Sequence, residues 1–278
     1  MRRIDVHHHF FPSDLQKEKI NKDVGWLTPA ENLPWTPALS LKSMDESGID
    51  YAILSLPALT TGAVSSENRT QARERNIYAS DICKLHPQRF GFFATLPFLD
   101  DHTGVLAEVS YALDELNADG FALPSSQGEG ICAKYIGDET YDPLWAELDR
   151  RKAVVFLHGA QVPSSTPCPH ALLGVPITEV PNETFKAAAH LVVTGRKRKY
   201  PNVKVILAHL GGSTPFLAAR VAILSRHMGC NLTPEEILED FRSFYYETAL
   251  SAYTTNLQAI DGFIPRENLL FGTDFPGM

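Results

Sequence analysis

The chain has 278 residues, 44% of them hydrophobic and 21% charged, and a formal net charge of −8. This length holds a large core and excludes a disulfide-stapled miniprotein or a coiled coil. With no long Lys/Arg block, the acidic balance argues against a nucleic-acid partner, and an acidic substrate needs a local cation or a metal.

Met1-Arg2-Arg3 leads straight into an apolar segment with no signal core, and no run reaches 18 apolar residues. The four cysteines (Cys83, Cys132, Cys168, Cys230) are scattered. A soluble protein of the cytoplasm, with reduced thiols, is expected. Eight short apolar or aromatic runs read as strands: 4–9, 51–57, 90–97, 120–125, 153–159, 203–211, 244–249 and 268–275. Several are apolar without alternation, as in Val154-Val155-Phe156-Leu157, which suits strands covered on both faces of a parallel sheet. Between them, helices are expected near 40–47, 67–85, 102–117, 141–151, 183–198, 214–228 and 254–262. Thr233-Pro234-Glu235-Glu236 reads as a cap, a proline and an acidic first turn. The basic run Arg196-Lys197-Arg198-Lys199 is expected to complement a helix dipole.

Strand alternating with helix eight times predicts an α/β fold, the (β/α)8 barrel, with a doubly wound sheet as the alternative. A Gly-x-Gly-x-x-Gly turn after the first strand is absent, which weakens a nucleotide-binding sheet. Residues 12–40 and 160–182 read as insertion loops over the barrel mouth, and a single domain spans 1–278. The eighth strand ends at Phe275-Pro276, so the chain reads as a barrel lacking its final helix. A strand left bare there would expose apolar surface.

Chemistry concentrates where strands end. His7 and His9 lie two apart on the first strand and leave the same face, while His8 points away and reads as structural. His158 closes the fifth strand, His209 the sixth and Asp274 the eighth. In a barrel these ends gather at one active face. Imidazoles with a carboxylate suit Zn²⁺, with Mn²⁺ or Fe²⁺ also accepted, and leave open positions for water or substrate. Phe10, Trp26, Trp35, Phe93 and Phe275 could wall a flat ligand, although each is equally a core residue.

The order His-x-His, His, His, Asp at strands one, five, six and eight resembles the amidohydrolase superfamily. Ile4-Asp5-Val6-His7-His8-His9-Phe10, the segment 89–97, His209-Leu210-Gly211-Gly212 and Gly272-Thr273-Asp274-Phe275-Pro276 carry the likeness to its metal-dependent decarboxylase branch, which is related to aminocarboxymuconate-semialdehyde decarboxylase. Trp35-Thr36-Pro37 and Pro181-Asn182-Glu183-Thr184-Phe185 are most similar to the 6-methylsalicylate decarboxylases. The resemblance implies His7, His9, His158 and Asp274 as metal ligands and His209 as an acid–base group. It implies Arg220 as a contact for the substrate carboxylate, often reached across a homodimer interface. Phe93 and Trp26 are further substrate-binding candidates.

The implied reaction is nonoxidative decarboxylation of an ortho-hydroxy aromatic acid, 6-methylsalicylate giving 3-methylphenol and CO₂. Asp274, with a raised pKa and helped by His209, is expected to deliver the proton. The fourth strand, Gly120-Phe121-Ala122-Leu123-Pro124, carries no bridging lysine, so one metal is expected rather than two. The alternatives are a mononuclear lactonase or amidohydrolase and a catalytically impaired metal-binding barrel.

Overall fold

The computed structural model describes residues 2–58, 62–128, 132–161, 170 and 172–277. Cys168 lies outside them, as does part of the second insertion. Ten strands follow in chain order: β1 (Ile4–His9), β2 (Tyr51–Ser55), β3 (Phe90–Ala94), β4 (Gly120–Pro124), β5 (Ser126–Gln127), β6 (Lys134–Tyr135), β7 (Val154–His158), β8 (Lys204–Leu207), β9 (Tyr245–Glu247) and β10 (Leu269–Leu270). Eight of them pair in the order β1-β2-β3-β4-β7-β8-β9-β10, all parallel, and β5 and β6 form a separate antiparallel ribbon. The edge between β10 and β1 is nearly closed. Val6 N–H donates to Phe271 O at 3.0 Å, and His9 N–H donates to Phe275 O at 2.7 Å. This is the (β/α)8 barrel that the alternation predicts.

The helices are α1 (Lys17–Val24), α2 (Pro37–Ser47), α3 (Ser66–Leu85), α4 (His102–Asp114), α5 (Asp142–Arg151), α6 (Val175–Val193), α7 (Arg196–Lys199), α8 (Thr214–Leu224), α9 (Pro234–Arg242) and α10 (Thr254–Asp261). None of those described is long and apolar enough to cross a membrane. Local chemistry explains their starts. Thr36 caps α2 through Leu39 N–H, with Pro37 at the first position. Thr233 and Glu236 form a reciprocal capping box on α9, as the sequence suggests.

Three expectations need correcting. The segment 17–24 is helical although it reads as loop, because it starts from a left-handed Gln16 with no side-chain cap to announce it. Helix α6 begins at Val175 rather than near 183 and carries Pro181 in its interior, so the prolines of that stretch do not break it. The basic run forms its own short helix after a left-handed Gly195 and works through ion pairs. Arg196 and Lys199 reach Asp142 on α5, and Arg198 reaches Asp240 on α9.

The barrel interior is packed. Ile53, Phe93, Phe156, Ile206 and Ala208 form an inner apolar plug, with Phe93 and Phe156 stacked at 5.8 Å. A larger core lies between sheet and helices and includes Phe10 and Trp35. No helix follows β10 among the described residues. Instead the first insertion holds the last ones, with Trp26 Nε1–H donating to Gly277 O at 3.1 Å. Ile4 and Phe271 nevertheless stay exposed beside that seam.

Strand β1 is bulged. Its pairing with β2 shifts register between Asp5 and His8, as strands often do beside a site. The fully buried Asp5 fixes this region. It accepts from His7 N–H at 3.1 Å, Thr273 N–H at 3.1 Å, Thr273 Oγ1 at 2.6 Å and His8 Nδ1 at 3.0 Å. His8 completes its own pairing with Ser40 Oγ at 2.8 Å, the structural role expected of it. Asp5→Ala strands these donors in a dry environment and should lower stability by about 2–4 kcal/mol. Urea unfolding should show the midpoint falling at unchanged slope.

Candidate metal centre

Five donors meet at the C-terminal mouth of the barrel. His7 Nε2 lies 3.0 Å from His9 Nε2 and 3.3 Å from Asp274 Oδ1, and His9 Nε2 lies 3.2 Å from that same oxygen. The His158 ring centre is 5.2 Å from that of His7 and 5.0 Å from that of His209. Two overlapping trios therefore form, His7 with His9 and Asp274, and His7 with His158 and His209. The inner plug is their floor, for the His7 ring sits edge-on to Phe156 at 4.8 Å.

Three of the histidines are fixed from behind. His7 Nδ1–H donates to Glu247 Oε1 at 2.8 Å, His9 Nδ1–H to Ser55 O at 3.2 Å, and His158 Nδ1–H to Gly159 O at 2.8 Å. Each outward bond puts a proton on Nδ1 and turns Nε2 toward the centre. His209 differs. Its buried Nδ1 has no partner among the described residues, and its Nε2 stands 3.5 Å from Asp274 Oδ2.

The electrostatics call for a cation. Burial opposes charge on His7, yet Glu247 and Asp274 together outweigh it and push its pKa up to about 10. Without another positive group, a proton takes that place. Burial, then the His209 and His7 charges, drive His158 well below the usual histidine range, and burial also lowers His9. Lone pairs meeting at 3.0 Å beside a carboxylate are a donor set for a divalent ion, so the residues fit a metal. One expectation is reversed here. Burial does favour the neutral acid, but His7, His209 and His9 hold the Asp274 carboxyl well below its ordinary range. Asp274 is an anion at rest, not a raised-pKa acid.

Backbone strain marks the same place. Asp274 and His209 have φ of 65° and 56°, left-handed values rarely adopted by residues with a Cβ. Asp274 is kept there because its N–H donates to His7 O at 2.8 Å. Helix α6 holds the two histidine loops. A Cβ on Gly159, next to His158, would strike Val180 O, and a Cβ on Gly212, three after His209, would strike Pro181 O. One turn of α6 thus seats both loops.

Glu247, at the end of β9, is absent from the sequence-based list. Fully buried, it accepts from His7 Nδ1, from His209 N–H at 2.6 Å and from Ala249 N–H at 2.6 Å. Its position as a strand-end carboxylate, in line with His158 and His209, was the available signal.

Beside the centre lies a cavity of about 290 Å³, at the small end for a ligand site. His9, His158, His209 and Asp274 form its polar side; Phe11, Trp26, Pro57, Ile177 and Leu250 are among its apolar walls. The two insertions meet above it, where a Cβ on Gly174 would strike Gly25 O. Trp26, a substrate-binding candidate, lines this cavity. Phe93 does not, because it lies one layer down in the inner plug. Phe10, Trp35 and Phe275 also stay out of the wall; Phe11 takes the aromatic place. Arg220 lies outside the cavity, exposed on α8.

A family model for amidohydrolases matches residues 4–278. The chain belongs to the amidohydrolase family. It is 40% identical to decarboxylase macB of Penicillium terrestre, over 99% of this chain and 84% of that one. It is 37% identical to the 6-methylsalicylic acid decarboxylase of Penicillium expansum, over 99% and 85%. Among solved structures, a dihydroxybenzoic acid decarboxylase from Polaromonas with bound manganese superposes with a TM-score of 0.83 at 24% identity, covering 99% of this chain and 87% of that one.

Glu247→Gln would leave one acceptor oxygen to face three donors. Metal affinity should fall about 10- to 100-fold, as for other lost outer-shell partners, with far-UV circular dichroism unchanged; metal titration reads the loss.

Proposed function

We propose that this protein is a metal-dependent carboxy-lyase that removes CO₂ from a small ortho-hydroxy aromatic acid, with 6-methylsalicylate as substrate and 3-methylphenol as product. The convergence of five donors, four of them on one wall of a largely apolar cavity, carries this reading. The Penicillium expansum relative, named for that acid, supports the substrate.

His7, His9, His158 and Asp274 are the residues that would hold the metal. Once bound, a divalent ion supplies Lewis-acid charge stabilisation for the phenolic and carboxylate oxygens. The N/O donor set accepts Zn²⁺ or Mn²⁺, and metal analysis of the purified protein distinguishes them. The remaining tasks fall to the chain. Phe11, Trp26 and Ile177 hold the ring and exclude water. The hard step is the electron pair left on the ring when the C–C bond breaks. Protonating the carboxyl-bearing carbon first gives that pair somewhere to go: CO₂ leaves neutral, and the electrons return to the ring and its hydroxyl oxygen. Because Asp274 rests as an anion, His209 takes the proton from solvent, and its Nε2 passes it by way of Asp274 Oδ2 to the carboxyl-bearing carbon, one proton being consumed for each CO₂ released. The unanchored Nδ1 of His209 fits this acid–base role better than a ligand's.

A homodimer belongs to the same proposal. Phe216 and Ile223 on α8 are 64% and 59% exposed, and Arg220 lies on that helix, where a second copy would bring it into play. Light scattering tests this. A cytoplasmic location is also proposed, supported by free Cys83, Cys132 and Cys230, and tested by fractionation.

The deciding assay is incubation of metal-loaded protein with 6-methylsalicylate, with chromatography for 3-methylphenol. Chelator should abolish turnover and Zn²⁺ or Mn²⁺ should restore it. Asp274→Asn should lower kcat by about 1000-fold or more, within the reach of a lost acid–base or metal-ligand group. His209→Asn should lower kcat by about 100-fold while still binding metal. Lactone hydrolysis without CO₂ release would overturn the reading.

A further inference from the structure

The acidic chain poses a problem for an acidic substrate. The buried Glu247 and the half-buried Asp274 both stand at the site, and a carboxylate entering beside them meets repulsion. The expected remedy, Arg220, does not reach the cavity within this chain.

A different cation does. Lys17, the first residue of α1, lines the cavity together with His9, Phe11 and Asp274. It is the one lysine or arginine in that wall among the described residues. Its neighbours Glu18 and Lys19 are exposed, whereas Lys17 is half-buried. Its Nζ sits 4.8 Å from the centre of the Phe11 ring, a cation–π contact that aims the side chain along the wall. No ion pair or hydrogen bond to Nζ is found among the described residues, although most buried or half-buried cations of this chain have one, as Arg73 and Arg151 do with Glu108 and Asp114. A half-buried ammonium left with only a ring face for company retains its hydrogen-bonding capacity for a ligand.

We propose that Lys17 is the substrate-positioning cation of this cavity, its ammonium holding the carboxylate of the aromatic acid while Phe11 and Trp26 bracket the ring. This rests on the decarboxylase reading and adds to it the residue that selects for an anion. Burial presses the Lys17 ammonium down to about 8 against the pull of Asp274, so it is partly stripped of water yet still charged at neutral pH.

The reaction dictates what Lys17 can contribute. The carboxylate loses its charge as CO₂ forms, so an ammonium placed on it binds the ground state at least as well as the transition state. Such a contact lowers KM and does not raise kcat. Lys17 is therefore a binding residue and not a catalytic one.

The test separates charge from shape. Binding is measured by calorimetry on metal-loaded protein with two probes: 2-methylbenzoate, an acid lacking the hydroxyl that decarboxylation needs, and the neutral 3-methylphenol. Lys17→Met keeps the length and apolar stem; Lys17→Arg keeps the charge. Lys17→Met should weaken 2-methylbenzoate about 10- to 100-fold, the worth of a charge-assisted hydrogen bond, and leave 3-methylphenol unchanged. Lys17→Arg should recover most of the loss. In turnover, Lys17→Met should raise KM by the same factor with kcat within about threefold. Unchanged acid binding in Lys17→Met overturns the proposal, and so does an equal loss for both probes, which would make Lys17 a piece of wall. If the binding pattern holds but no aromatic acid loses CO₂, the decarboxylase reading fails and the anion site stands.

Discussion

His7 stands between two carboxylates, the buried Glu247 on its Nδ1 and the half-buried Asp274 beside its Nε2, and the active face depends on this arrangement. Two anions withdrawn from water are costly unless matched by positive charge. His7 alone answers with a proton, which is why its pKa climbs to about 10. A divalent ion would satisfy the same demand and would engage His9 and His158 as well. The negative charge gathered around His7 is thus the feature that selects a cation for this site.

The scaffold serves that constraint by fixing donors from the outside. Asp5 ties the bulge of β1 to Thr273, so the loop bearing Asp274 and the strand bearing His7 and His9 move as one. Glu247 ties His7 to the backbone of His209. The turn at Val180–Pro181 lies against glycines in both remaining histidine loops. Five groups from four places in the chain are thereby held with little freedom to relax apart. That rigidity also maintains the left-handed φ of Asp274 and His209, which neither residue would adopt alone.

What the sequence disclosed follows from this division. Strand-end residues were legible because a barrel sends them all to one face, so His158, His209 and Asp274 needed only their register to be placed. The supporting carboxylates were harder. Glu247 follows Tyr245-Tyr246 and looks like an ordinary solvated strand end until the fold shows three donors upon it. Lys17 sits in Lys17-Glu18-Lys19, which reads as solvated helix surface, and only the path of the first insertion brings it to the cavity. Phe93 failed as a wall residue for a related reason: alternation tells inward from outward but not which inward layer a side chain occupies. Pro181 misled differently, since a helix interior usually rejects proline.

Chemistry and selectivity therefore come from different parts of the chain. Strands and their ends supply the ionic centre, whose donors would suit many reactions on polar oxygens. The insertions supply Lys17, Trp26 and Ile177, which with Phe11 just before the first of them set the shape and charge of what enters. A small cavity with aromatic and aliphatic walls disfavours extended or strongly hydrated substrates, because burying their polar groups without partners costs more than the contacts return. It favours a flat acid whose few oxygens all lie on one edge, where the polar side of the cavity can meet them together. An ortho-hydroxy aromatic acid has that distribution, and its ring is also the electron sink that loss of CO₂ requires. The same asymmetry that admits the substrate orients it for the reaction.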